Sequence, residues 1–209
     1  MFSLFKKKYT FLALGDSYTI GEGVSAEERW ISQVIQKLKH RKLYFKNPQI
    51  VAKTGWTSRE LINAFDAKHI FKSIDFVSLL IGVNNQYRGE SKEKYRGDLM
   101  ELIGLAIMSA KDKSRVMIIS IPDYGITPFA ADKNPQKITA EIEEFNAINY
   151  KMSKDFGVGY IDITRESREA QYKPDLLTMD QLHPSGKMYA QWADKIANYI
   201  ESVLKSKQP

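Results

Sequence analysis

The sequence predicts a three-layer α/β/α fold built on a five-stranded parallel sheet. Three observations carry the prediction. Strand-like and helix-like segments alternate five times, the strand-like segments read as continuous apolar runs, and neither a linker nor an internal repeat divides the 209 residues. Strands that are continuously apolar are buried on both faces, which requires helices on each side of a parallel sheet. Right-handed crossovers then bring every strand's carboxyl end to one edge. One domain over residues 1–209 is expected, with flexible ends at 1–8 and 205–209.

The first strand runs from Thr10 to Leu14 and is stopped by Gly15. Asp16 and Ser17 follow directly, and the flanking Gly15 and Gly21 allow a sharp turn that leaves the Ser17 hydroxyl in a cleft. Ser25 to Glu28 has the spacing of a capping box and opens a helix through about Lys39, with Trp30, Ile31, Val34, Ile35 and Leu38 on one face. Pro48 to Ala52 is a second strand. Thr57 to Glu60 is another capping box, ahead of Leu61, Ile62 and Phe65. Ile74 to Ile81 is the most hydrophobic run, closed by Gly82. A long amphipathic helix from about Ser91 to Ala110 carries Leu99, Leu102, Ile103 and Ile107 on one side. Val116 to Ile121 is a fourth strand, ended by Pro122, and a loop runs from Asp123 to Lys133. Asn134 caps the next helix with Pro135 at its first position, through about Phe156. Val158 to Ile163 is the fifth strand. The last helix starts near Pro184 and carries Trp192, Ile196, Ile200 and Val203 at helical spacing.

Composition narrows the chemistry. There is no cysteine, so disulfide and thiolate chemistry are excluded. With only His40, His69 and His183, a histidine-rich metal site is not expected. The formal charge of +6 gathers largely at the ends, in Lys6, Lys7, Lys8, Lys205 and Lys207, without an aromatic-interleaved basic stripe. It reads as solvated surface and not as a nucleic-acid footprint. Met1 to Phe5 is too short for a signal peptide's apolar core, and lysines follow it instead of preceding it. No run approaches the ~18 apolar residues of a membrane span. A cytoplasmic location is expected.

The segments after the strands are what suggest function. Asp16-Ser17 follows the first, Thr54-Gly55-Trp56 the second, and Gly82-Val83-Asn84-Asn85 the third. Asp180-Gln181-Leu182-His183-Pro184 lies between the fifth strand and the last helix. A hydroxyl, a glycine N–H, a side-chain amide and an imidazole with a carboxylate three residues away thus meet on one rim. These types suit acyl transfer. A serine hydroxyl needs a base, imidazole titrates near the working pH, and an aspartate can fix its tautomer. The N–H groups of Ser17 and Gly55 and the amide of Asn84 are candidate donors to a developing oxyanion.

Taken singly, each residue has a plainer reading. His183 can be a cap, Asp180 a turn residue, Asn84-Asn85 a tight turn, and Gly55 a loop glycine. Their joint arrival at one predicted rim favours the enzyme.

In these blocks the chain resembles the SGNH (GDSL-type) hydrolases, whose marker residues are Ser, Gly, Asn and His. Gly15-Asp16-Ser17-Tyr18-Thr19-Ile20-Gly21 is similar to the first block, with Tyr18 where leucine is common. Gly55 stands for the second block, Gly82-x-Asn84-Asn85 for the third, and Asp180-x-x-His183 for the last. Asn85 replaces the usual aspartate. The resemblance runs from about residue 10 to the final helix. It implies a flavodoxin-like sheet, Ser17 as nucleophile, His183 as base, Asp180 as its orienter, and Ser17, Gly55 and Asn84 as the oxyanion hole. No metal or organic cofactor is implied.

The reaction expected is hydrolysis of small or short-chain acyl esters, because the domain is compact and no large lid insertion is visible. Carbohydrate O-deacetylation is the first alternative, with lysophospholipid and thioester hydrolysis behind it. Asp16, Trp56, Asn85, Tyr87, Tyr124 and Tyr172 are candidate pocket residues, and Phe129 lies in a loop that could join them. A catalytically silent carbohydrate- or partner-binding module is the non-enzyme alternative. Gly21-x-Gly23-x-x-Ala26 also fits a dinucleotide fingerprint, but it starts six residues after the strand's end and lacks the acidic ribose partner.

Overall fold

Strands without a solvent face must be covered on both sides, and the chain solves this with one central sheet. The structure, a computed structural model, describes residues 8–67 and 73–206. His69, the Met1 to Phe5 segment, Lys6, Lys7 and Lys207 lie outside the described residues. In chain order the elements are β1 (Lys8–Tyr9), β2 (Phe11–Gly15), α1 (Ser17–Ile20), α2 (Trp30–His40), β3 (Tyr44–Phe45), β4 (Gln49–Ala52), α3 (Ser58–Ala67) and β5 (Phe76–Leu80). Then come α4 (Val83–Tyr87), α5 (Lys92–Ser109), β6 (Val116–Ile119), α6 (Pro135–Phe156), β7 (Gly159–Ile161), α7 (Thr164–Arg168) and α8 (Gly186–Lys205).

The main sheet has the order β4-β2-β5-β6-β7 with every pair parallel. Numbered by their own succession, its strands run 2-1-3-4-5, the doubly wound flavodoxin-like arrangement. All five predicted strands are present. Leu12, Leu14, Val77, Leu79, Val116 and Ile119 are buried, as strands between two helical layers must be. Helix α2 packs on α8, while α3 packs on α5 and α5 on α6. Trp30 and Trp192 fill the first of these layers without solvent exposure. The start of β2 is pinned to β5 by Asp75, whose Oδ2 accepts from the N–H and hydroxyl of Thr10 at 2.9 and 3.0 Å.

Local signals mostly hold. Thr57 and Glu60 form the predicted capping box, with Thr57 N–H donating to Glu60 Oε2 at 2.8 Å. Asn134 caps α6 through Oδ1 and Lys137 N–H at 3.3 Å. The box at Ser25 does not start a helix. Its Ser25 N–H donates to Glu28 Oε2 at 3.2 Å, but the segment closes as a turn, and α2 begins only at Trp30. The reason is tertiary: Gln33 Nε2 donates to the Glu28 and Gly186 carbonyls at 2.7 and 2.9 Å, tying this turn to the start of α8.

A small parallel pair, β1 with β3, and the short helices α1, α4 and α7 go beyond the sequence reading. Of the ends expected to be flexible, Lys8 belongs to β1 and Lys205 to the last turn of α8.

Candidate active site

The switch point of a 2-1-3-4-5 sheet lies between its first and third strands, where open α/β sheets bind ligands. Here that is the gap between the ends of β2 and β5. β2 ends in Gly15, and a Cβ at that position would come within 2.4 Å of the Leu80 carbonyl oxygen and 2.2 Å of Thr19 Oγ1. Only glycine permits so close a passage. Asp16 then caps α1, its Oδ1 accepting from Tyr18 N–H at 3.0 Å. Ser17 sits at the first helical position, with its own N–H directed out of the short helix's start. Asp16 is fully buried, and its Oδ2 has no partner among the described residues. Burial pushes its carboxyl up to about 7, against the opposing pull of the Tyr18 N–H.

The loop after β4 supplies the second group. Gly55 has φ of 84°, in the left-handed region where side chains are disfavoured. Its carbonyl accepts from Arg88 Nη2 at 2.6 Å, and Arg88 Nη1 lies 3.3 Å from Glu60. The Thr54 hydroxyl donates to Glu22, so this loop is also tied to the segment after α1. The Gly55 N–H takes no part in these bonds.

Helix α4 supplies the third group. Asn84 Nδ2 donates one hydrogen to the Trp56 carbonyl at 3.0 Å, and its second hydrogen is left over. Its neighbour Asn85 points inward and is fully buried. Asn85 Oδ1 accepts from Ser58 N–H at 3.0 Å, and its Nδ2 donates to Ser58 Oγ at 2.7 Å and Glu90 Oε2 at 2.8 Å.

The loop before α8 supplies the imidazole. Thr178 N–H donates to the His183 carbonyl at 2.8 Å, closing a compact turn with Gln181 in the left-handed region. Within it, His183 Nδ1 lies 2.7 Å from Asp180 Oδ2, while Asp180 Oδ1 accepts from the N–H groups of Leu182 and His183 at 2.9 Å each. Burial alone would raise the Asp180 carboxyl. The hydrogen bonds from His183, Thr178 and Leu182 outweigh it and hold the group well below the usual carboxylate range. The Tyr18 ring stands 5.6 Å from the His183 ring and braces its flank.

These loops enclose a pocket of about 220 Å³ lined by Ser17, Gly55, Asn84 and His183, together with Tyr87 and Tyr124. Asp180 stands behind His183. The structure thus brings together the residue types that the rim predicted, including the hydroxyl, the imidazole and its carboxylate.

Four expected pocket residues are not on its lining. Asp16 and Asn85 are fully buried and turned into the protein, as their hydrogen bonds show. Trp56 packs against the core and offers only its carbonyl to Asn84. Tyr172 is 80% exposed, in the turn after α7. Tyr18, Thr54, Val83 and Leu182 line the pocket unforeseen, and Phe129 joins them. Each of those four adjoins a marker residue in sequence, which is the signal that could have found them. Nothing in the sequence pointed to Arg88.

The fold and the rim define a doubly wound α/β protein with a pocket at its sheet's switch point. The family model of the GDSL-like lipases and acylhydrolases matches residues 13–191. The chain belongs to that family and is a carboxylic ester hydrolase by that membership. No curated protein matches it by sequence. Among solved structures, a lipase/acylhydrolase from Enterococcus faecalis superposes with a TM-score of 0.75 at 20% identity, covering 96% of this chain and 100% of that one. A variant of the acetyl xylan esterase Axe2 from Geobacillus stearothermophilus gives 0.71 at 18% identity, covering 94% and 97%. A member of the lipolytic G-D-S-L family from Veillonella parvula gives 0.71 at 16%, covering 91% and 97%. At these identities the likeness speaks for the fold. Among the described residues, no helix is long and apolar enough to cross a membrane.

Proposed function

We propose that the protein hydrolyses small or short-chain acyl esters through an acyl-enzyme on Ser17, with His183 as base and Asp180 as its orienting partner. The observation that carries the reading is the 2.7 Å contact between His183 Nδ1 and Asp180 Oδ2, at the rim of a pocket that Ser17 also lines. With Asp180 holding the proton on Nδ1, Nε2 is free to take the Ser17 hydroxyl proton as Oγ attacks the ester carbonyl carbon. The carbonyl oxygen becomes an oxyanion and accepts from Ser17 N–H, Gly55 N–H and the second hydrogen of Asn84 Nδ2. His183 then returns the proton to the departing alcohol oxygen. Water, deprotonated by the same nitrogen, cleaves the acyl–serine bond and restores the hydroxyl.

The preference for short acyl groups follows from size and lining. A pocket of about 220 Å³ is below the ~300–1,000 Å³ of sites that enclose a drug-sized ligand. Its walls are largely aromatic and aliphatic, from Tyr18, Val83, Tyr124, Phe129 and Leu182. The test combines fluorophosphonate labelling with p-nitrophenyl esters of increasing chain length. Labelling confined to Ser17, with kcat/KM highest for the shortest acyl groups, is expected. Labelling that persists in Ser17→Ala, or activity that rises with chain length, overturns the reading.

A further inference from the structure

Gly55 is the third residue of a tight turn, closed by Trp56 N–H donating to the Lys53 carbonyl at 3.2 Å. Its positive φ is what a type II turn requires at that place. Glycine accepts either sign of φ, so the residue type alone does not decide which way its N–H points. Two surface tethers, one on each side, decide it. On the amino side the Thr54 hydroxyl donates to Glu22, whose own N–H donates to the Ser17 carbonyl at 3.1 Å. On the carboxyl side the Gly55 carbonyl accepts from Arg88 Nη2 at 2.6 Å, and Arg88 N–H donates to the Asn84 carbonyl at 3.0 Å. The peptide that carries the Gly55 N–H is strung between the segment of Ser17 and the helix of Asn84.

The Arg88 tether is braced by a second charge. One arm of the guanidinium meets the Gly55 carbonyl, and the other, Nη1, lies 3.3 Å from Glu60. Glu60 is held in turn by the Thr57 N–H at 2.8 Å, which together with Arg88 keeps its carboxyl below the usual range and charged. A carbonyl at an exposed turn could be satisfied by solvent, so what the braced cation adds is a fixed position. Trp56 and Ser58, which the Asn84 and Asn85 amides hold, lie downstream of Gly55 and leave its carbonyl to Arg88. Arg88 is not on the lining of the catalytic pocket, so it reaches the chemistry through Gly55.

We propose that Arg88 is a positioning residue for the oxyanion hole: by clamping the Gly55 carbonyl to the end of α4, it keeps the Gly55 N–H aimed beside the Asn84 amide. The inference rests on the esterase reading above and deepens it. The clamp matters only when charge develops on the carbonyl oxygen, so its loss is felt in kcat and not in KM.

The test is steady-state kinetics of Arg88→Met on p-nitrophenyl acetate, in the wild type and in a Gly55→Ala background. In the wild type, kcat should fall about 10-fold, a part of the ~10²–10³ that removal of one oxyanion donor costs, with KM within about 2-fold. The urea midpoint should stay close to that of the wild type, because the side chain is about half exposed. In Gly55→Ala, where the aim of the N–H is already lost, the same substitution should cost less than about 2-fold. Should Arg88→Met fold poorly, Glu60→Gln carries the test: it removes the bracing charge, keeps an oxygen for the Thr57 N–H, and should lower kcat about 2–3-fold. An unchanged kcat, a loss confined to KM, or a loss of the same size in the Gly55→Ala background overturns the proposal. If that result comes with Ser17 of the wild type labelled by fluorophosphonate, the esterase reading stands without it. Absence of Ser17 labelling sinks both.

Discussion

Asp16 stands one residue before the proposed nucleophile, fully buried, with one carboxylate oxygen satisfied and the other not. Its folded-state pKa is raised by burial from 3.8 to about 7, so the folded protein binds this proton more tightly than the unfolded chain does. The stability gained from the protonated form is then complete below 3.8 and is lost as pH rises through about 7. The size of the displacement corresponds to about 4 kcal/mol. Asp16→Asn isolates this contribution. The amide oxygen can keep the Tyr18 N–H bond, and the amide nitrogen replaces an oxygen that had no partner, so any fixed cost is the same at every pH. Urea unfolding of both proteins between about pH 4 and about pH 8 provides the measurement. The stability of the wild type relative to Asp16→Asn should fall by roughly 4 kcal/mol across that range, because all other titrations cancel in the difference. A difference that is flat, or that rises with pH, would refute the reasoning, since it would mean that the carboxylate is compensated in the folded state.

Three further outcomes are expected. Asp180→Asn keeps the acceptor that faces the N–H groups of Leu182 and His183, so its amide must point a donor at His183 Nδ1. That selects the tautomer with Nε2 protonated, and kcat should fall by about 10²–10⁴-fold with the fold intact by circular dichroism. Gly55→Ala meets nothing closer than Arg88 Nη2 at 3.9 Å, so its cost comes from the φ of 84° alone. A loss of about 1–2 kcal/mol in denaturant unfolding is expected, with a lower kcat as the loop relaxes. Asn85→Asp would replace two donated hydrogen bonds with a carboxylate facing Glu90, where two like charges must share one proton. Its folded pKa is thereby raised, so the mutant should be close to wild-type stability near pH 4 and lose about 2–4 kcal/mol by pH 8, as thermal unfolding at both pH values can show.

The sheet was legible because its strands are short and largely apolar, and its three central ones are closed by Gly15, Gly82 and Pro122, features fixed by burial on two faces. The four blocks were legible for a related reason: in a parallel sheet the residue after each strand is committed to one rim, whatever the rest of the loop does. Facing was not legible. Tyr87 and Tyr172 both read as loop tyrosines in the sequence, yet Tyr87 ends α4 and leans on Tyr124 at 6.3 Å between ring centroids, while Tyr172 lies in solvent. That choice depends on which sequence-distant element arrives opposite. The Ser25 box failed in the same way, its Glu28 carbonyl being tied through Gln33 Nε2 to the distant Gly186 carbonyl. Strands of two residues, such as β1 and β3, leave no periodicity to read.

The departure at Asn85 has its cause in the surroundings. Ser58 Oγ donates to Asp98 at 2.8 Å, and Asp98 is paired with Arg59. Glu90 accepts from Asn85 on the other side. An aspartate at this position would be a third carboxylate between Asp98 and Glu90, whose counter-charges, Arg59 and Lys94, are already engaged. The amide removes that charge and supplies the donors that Ser58 Oγ and Glu90 accept, so each acid is satisfied without repulsion. The consequence reaches the rim. Ser58 opens α3 directly after the Gly55 loop, and Asn85 adjoins Asn84 in α4, so the bonds between Ser58 and Asn85 fix the distance between two of the proposed oxyanion donors. The Asn84 bond to the Trp56 carbonyl acts in parallel at the surface of the pocket. Two segments far apart in sequence are therefore held in register by a buried amide and a half-buried one, and the second hydrogen of Asn84 is aimed by a scaffold that does not have to rearrange when charge develops.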